Sequence, residues 1–157
     1  MIDASQLVDG LVALLREIPE LVIEMNGDPA RVFAYHDQYP KKASLAYAIH
    51  QMPAPGIMVA WQGTQPGSFS GQDVWKHQLT LYLRARESTD AAGPAAYGRL
   101  FRLITKGEPA GAGIPMSSVT VHPSCYPMDL PSIQRQTDAE ALDYFEVQMT
   151  FTEIGDD

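Results

Sequence analysis

The side chains best suited to covalent chemistry are one cysteine, Cys125, and four histidines, His36, His50, His77 and His122. A nucleophilic cysteine needs a base, an orienting group and an oxyanion site. His122 precedes Cys125 closely, but the cysteine stands between Pro123 and Pro127, and nothing marks a helix N-terminus behind it. A packed or interfacial thiol is the simpler reading. A small hydrolase using Cys125, His122 and a loop carboxylate is the alternative. The histidines are scattered singly, without the short ligand spacing of zinc motifs. His77 shares its strand parity with Leu79, Leu81 and Leu83, so a satisfied core histidine is expected there. Asp37, Asp73 and Asp129 fall in expected loops, and their spacing does not bring them together. Gly63 to Gly71 lacks the Gly-Lys-Ser/Thr ending of a phosphate loop, and no dinucleotide fingerprint follows a predicted strand. The reading is of a chain with no catalytic residue, no metal ligand set and no cofactor, hence not an enzyme.

The cations suggest contact chemistry instead. Arg84 and Arg86 close one predicted strand, while Arg99 and Arg102 lie three apart on a predicted helix. With Lys76 and Lys106 they would make a basic patch for an acidic neighbouring subunit. A nucleic-acid patch and an ordinary solvated helix face are the competing readings.

The elements that must position these groups centre on Ile57 to Ala85. An apolar run, Ile57–Trp61, leads into Gln62–Asp73, and then comes the alternating run Trp75–Ala85. A period of two puts Trp75, His77, Leu79, Leu81, Leu83 and Ala85 on one face and Lys76, Gln78, Thr80, Tyr82 and Arg84 on the other. The glycine- and proline-bearing segment 62–73 is longer than a tight hairpin turn and reads as a flexible loop with Phe69 as an anchor at its tip. A second clear strand has Phe145, Val147, Met149 and Phe151 on one side, with Ile133–Thr137 placed to pair with it.

A first helix is expected over residues 3–18, capped by Asp3 or Ser5, with Leu7, Leu11, Leu14, Leu15 and Ile18 as its stripe. Pro19 stops it or restarts the chain, and Leu21–Met25 reads as strand or helix tail. Asn26–Pro29 is a turn, Val32–His36 a short strand and Ser44–Ile49 a short helix. A second main helix is expected over Ser88–Ile104, capped by Thr89 or Asp90. Ser118–His122 reads as a short strand within the Pro/Gly-rich arm 106–131. The sum is one α+β domain spanning 1–157: a mixed, mostly antiparallel sheet with two main helices packed on one face.

The formal charge is −8. Residues 1–40 and 129–157 are acidic, and the middle is basic on balance. Poles of opposite sign can steer subunit against subunit; chance variation over a soluble acidic surface is the plainer account. A net negative chain is poorly suited to grip duplex phosphates, which need clustered Lys and Arg. A single cysteine allows no intrachain disulfide. No signal-peptide pattern and no membrane-length apolar run is present, so folding in a reducing cytoplasm is expected.

Several stretches carry a family resemblance: "QMPAPGIMVAWQGT", then "WKHQLTLYLRA", then "YGRLFRLI", then the terminal "YFEVQMTFTEIG". In this order, over roughly residues 5–155, the chain resembles the tail terminator, or tail-completion, proteins of long-tailed bacteriophages. The resemblance implies a small α/β domain that forms a hexameric ring on the head-proximal end of the tail tube. Such a ring stops tube polymerisation and docks to the head, its connector or a head-closure protein. It implies a virion protein assembled in the host cytoplasm, with genomic DNA passing through an acidic lumen without specific binding. No catalytic residue carries over. The expected protein-contact residues are Gln65, Phe69 and Asp73 of the loop, Lys76, Arg84 and Arg86 of the strand, and Arg99 and Arg102 of the helix. A head-closure or other neck protein of the same virion is the nearest alternative. The long proline-rich stretch Lys106–Pro131 departs from the family pattern and leaves the docking face open.

Overall fold

The computed structural model describes residues 2–35, 44–69, 71–85, 93–106, 132–137 and 143–154. Helix α1 (Ala4–Arg16) starts where Asp3 accepts the Ser5 amide on its side chain. Its buried residues Leu7, Val8, Leu11, Val12 and Leu15 recur at three and four, which makes one face apolar. Pro19 restarts the chain as the first residue of α2 (Pro19–Glu24), a position where its missing N–H costs nothing. The chain then reverses through Asn26 and Gly27, both at positive φ. A 3-10 turn at Pro29–Arg31 delivers it into β1 (Val32–Ala34). Arg16 ties these pieces together, its Nε donating to the carbonyls of Pro29 and Val32.

Helix α3 (Leu45–Gln51) is capped by Ser44, whose Oγ accepts the Tyr47 amide. It connects β1 to β2 (Gly56–Phe69), which pair in parallel. Parallel neighbours need such a crossover. Gly56 is required where the crossover enters β2: a Cβ there would sit 2.5 Å from the Pro53 carbonyl oxygen. Strand β3 (Gln72–Arg84) returns antiparallel to β2 along its whole length. Helix α4 (Gly93–Lys106) follows, then β4 (Ser132–Thr137) and β5 (Asp143–Ile154). The sheet order is β1-β2-β3-β5-β4, with only the β1–β2 pair parallel.

Burying apolar side chains at roughly 25 cal/mol per Å² is the main force holding these layers. One core lies between α1, α2 and α4 and a single face of the sheet. It takes Leu7, Leu11, Leu15 and Leu21 from the first two helices, Leu100 and Ile104 from α4, and Leu79, Leu81, Leu83, Val147, Met149 and Phe151 from the central strands. The expected α+β architecture with two main helices on one face is therefore present. A second, smaller core lies on the opposite face, where Ala48, Ile49 and Met52 of the α3 region cover Phe33, Met58, Ala60 and Tyr82.

One expectation is corrected. Segment 62–73 is not a flexible loop but the outer half of the β2–β3 hairpin, paired as far as Phe69 with Gln72. Glycine and proline are tolerated there because this half of β2 is an edge strand. The β1 pairing ends at Val59, so beyond it Pro66 breaks no ladder among the described residues. A register shift between Trp61 and Gly63 absorbs Gln62 as a bulge. Gly71, at φ 79°, supplies the left-handed residue of the turn. The expected second main helix is found from Gly93 onward; its caps at Thr89 and Asp90 lie outside the described residues, as do most of the arm 106–131 and the strand expected at 118–122.

Candidate functional site

Two polar regions stand out on the sheet. The first lies on the face that carries α3. Beyond that helix, the even-numbered positions of β3 and β5 form cross-strand pairs: Gln78 with Thr150, Thr80 with Gln148, and Tyr82 with Glu146. Gln62, set free by the bulge in β2, reaches the same surface and donates its Nε2 to the Tyr82 hydroxyl at 2.9 Å. Together they line a depression of about 390 Å³. Tyr144 sits beside it, its ring tilted 50° to that of Tyr82 at a centroid distance of 6.3 Å.

This depression is lined by amides, hydroxyls and one carboxylate, with Leu79 and Met149 between them. Burial, helped by the Glu146 charge, pushes the Tyr82 hydroxyl up to about 12. It therefore stays protonated and acts only as a hydrogen-bonding group. The Glu146 carboxyl is also raised, because part of its hydration is lost. Among the described residues no Lys or Arg lines the depression, and these offer nothing to a phosphate. It is suited to a cation or to a neutral hydrogen-bonding group.

The second region crosses the other face at the outer hairpin. Trp61 Nε1 donates to Thr64 Oγ1 at 3.1 Å, and Thr64 Oγ1 lies 2.8 Å from His77 Nδ1. His77 Nε2 lies 2.8 Å from Glu153 Oε1, which also accepts the Ile2 amide at 2.9 Å. One proton arrangement satisfies the row: the Thr64 hydroxyl donates to Nδ1, and Nε2–H donates to Glu153. Burial works against the Glu153 carboxylate, but the Ile2 amide and His77 outweigh it and hold the group below its ordinary value.

Hydroxyl, imidazole and carboxylate in hydrogen-bonding sequence is the composition of a hydrolytic relay. Here, however, His77 is fully buried, the depression lies across the sheet, and the Thr64 oxygen already accepts from an indole. The row works as a tie, joining β2, β3, β5 and the segment before α1. His77 is thus the satisfied core histidine its parity implied. Thr64 and Glu153 escaped sequence reasoning. Glu153 did leave a signal, since it continues the buried parity of Phe145, Val147, Met149 and Phe151.

The expected contact residues separate into distinct places. Gln65 and Asp73 are exposed on the two arms of the outer hairpin. Lys76 pairs with Gln65, and its stem lies across Gly67, where an added Cβ would meet Lys76 Cε at 3.0 Å. Phe69 ends β2, with its side chain outside the described set, and Arg86 lies outside the described residues. Arg99 Nε is paired with Glu24 Oε1 at 2.9 Å, and Arg102 is exposed on the same helix.

The basic patch is corrected accordingly. Arg84 is an internal fastener: its Nη1 donates to the Met52 carbonyl at 2.6 Å, and Arg31 Nη1 does the same to Pro55. Both clamp the connection into β2, and the Nε of each is buried without a partner among the described residues. Lys76 lies eight positions from Arg84 along β3, or roughly 27 Å at strand rise. Arg84 and Lys76 therefore do not sit side by side, while Arg86 and the Lys106 side chain lie outside the described residues.

Among the described residues, no three His, Cys, Asp or Glu side chains gather as a metal site. His36, His122, Cys125, Asp37 and Asp129 lie outside the described residues. No helix of the described residues is long and apolar enough to cross a membrane. Neither a protein-family model nor a curated protein sequence matches the chain.

Proposed function

We propose that this chain is a structural virion protein of a long-tailed phage. It caps the head-proximal end of the tail tube, arrests tube growth and offers the surface to which the head or its connector docks. The observation that carries this reading is the outer half of β2. From Ala60 to Phe69 its outer edge has no strand beside it among the described residues, and Trp61 on that stretch is 50% exposed. An edge of unpaired backbone groups beside an exposed aromatic is a template for another chain. Copies joined through unlike surfaces close into a ring when the rotation permits. The partners in this reading are further copies, the tail tube protein and a connector or head-closure protein. DNA passes through without being gripped, consistent with the −8 charge.

Electron microscopy of the protein mixed with growing tail tubes tests the reading. A ring at one tube end with arrested elongation is the expected result; tubes that grow to the same lengths with and without the protein would sink it. A ring found only on the head portal would identify a head-closure or other neck protein instead. Shortening the hairpin by removing Gly67–Asp73 and closing it with a two-residue turn should abolish capping and leave the fold intact. The reason is that the two cores lie elsewhere, between the helices and the inner sheet.

A further inference from the structure

We propose that the depression at Glu146 receives the guanidinium of Arg102 from a second copy of this chain. Tyr82 faces Glu146 from β3 and Gln134 from β4, while Tyr144 and Gln148 flank it on its own strand and face. All are neutral. A carboxylate that has lost hydration without gaining a cation is an unsatisfied charge, and a cationic partner recovers that cost. Among the described residues, Glu146 has no hydrogen bond or ion pair.

The surroundings select guanidinium over ammonium. Arginine's planar fork can donate two parallel hydrogen bonds to the carboxylate. Its flat face packs on a tyrosine ring, and its remaining N–H groups suit the amide oxygens of Gln134 and Gln148. Lysine would present a compact charge that leaves the aromatic face and the amides unused.

The arginines whose side chains are described, a set without Arg86 and Arg135, then narrow the donor. Arg16, Arg31 and Arg84 are bonded to backbone carbonyls and Arg99 to Glu24. Arg102 is exposed and has no partner among the described residues. It projects from α4, whose buried residues Leu100, Leu103 and Ile104 pack on the opposite side of the sheet from Glu146. A contact between the two therefore joins unlike surfaces of successive copies, the geometry from which rings are built. The pairing rests on the self-assembly proposed above and names its electrostatic contact.

Sedimentation velocity of the full-length chain over a range of concentrations tests it, with tube capping measured in parallel. Glu146→Arg and Arg102→Glu should each weaken self-association by roughly thirtyfold or more, and the double variant should restore it. Glu146→Gln keeps the side chain's shape on an amide-rich surface; it should weaken association while its urea unfolding curve stays that of the wild type. Wild-type association by Glu146→Arg overturns the proposal. So does loss in Glu146→Arg with Arg102→Glu unaffected, since the cation then comes from a different residue of the neighbouring copy. So does a wild-type chain that stays monomeric both alone and on tubes. Reciprocal rescue in a protein that leaves tube growth unchanged keeps this pairing and removes the tail reading. Capping by a chain whose charge variants assemble normally does the reverse.

Discussion

Two glutamates on the same strand, Glu146 and Glu153, have opposite fates. Glu153 belongs to the odd-numbered face of β5, where α1, α2 and α4 exclude water, and it is 4% exposed. Glu146 belongs to the even-numbered face, half-buried among tyrosines and glutamines. Burial disfavours both charges, yet the Glu153 carboxyl is lowered and the Glu146 carboxyl raised. The difference is partnership. Glu153 accepts from His77 and Ile2, whereas Glu146 has no donor among the described residues. Ionised acids inside a fold are tolerated when they complete a network. Glu153 holds this domain together, and Glu146 is the acid proposed above to meet a partner.

The largest effect should separate the two faces themselves. Phe151→Ala empties a fully buried site on the odd face and should cost about 3–5 kcal/mol in urea unfolding. Gln148→Ala on the even face should stay within about 0.5 kcal/mol. Equal losses would mean the even face is as tightly packed as the core.

Glu153→Ala comes next. It leaves the His77 Nε2–H and the Ile2 amide buried without an acceptor, at about 1–3 kcal/mol for each orphaned group. Native-state hydrogen exchange should show the hairpin and the start of α1 opening together. Opening at one of them alone would show that the row does not couple them.

The pH dependences should differ in sign. The Glu153 carboxyl lies below its ordinary value of 4.5 in the folded chain. Its ionised form therefore adds stability above 4.5, and that contribution drains away as pH falls below 4.5 through the folded value. The stability gap between wild type and Glu153→Gln should narrow over that window. The Glu146 carboxyl lies above 4.5, so the folded chain disfavours its ionised form at neutral pH. Glu146→Gln should match or slightly exceed wild type at pH 7, by less than about 0.5 kcal/mol. That gain should shrink as pH falls through the raised folded value and be gone near 4.5. Denaturant titrations from pH 3 to 7 on both variants measure this; parallel curves would erase the distinction between the two acids.

A further effect concerns the outer end of the Glu153 row. Thr64→Val removes a hydroxyl between an exposed indole and a buried imidazole and should cost about 1 kcal/mol. A much larger loss would place Thr64 inside the core rather than at its rim.

Much of this architecture was legible before any coordinates. The Asp3 cap, the leucine stripe of α1, the turn at Asn26–Gly27 and the alternation along β3 and β5 follow from local rules of period and capping. Segment 62–73 reads as a loop in the sequence because glycine and proline usually mark loops; pairing with β3, on an edge open among the described residues, overrides that preference. Arg84 differs from its sequence reading for a related reason. Its charge is visible in the sequence, but whether a guanidinium meets solvent or a carbonyl such as that of Met52 depends on a fold-back 32 residues distant.

The sequence by itself thus determined which residues share a face, because side-chain direction along a helix or strand is periodic and needs no distant information. Only the tertiary structure decided what each face meets. The Ile2 amide and Glu153 are separated by 151 positions, and His77 and Glu153 by 76. Such contacts exist only once the sheet has assembled. They separate an acid that is part of the scaffold from one that faces outward.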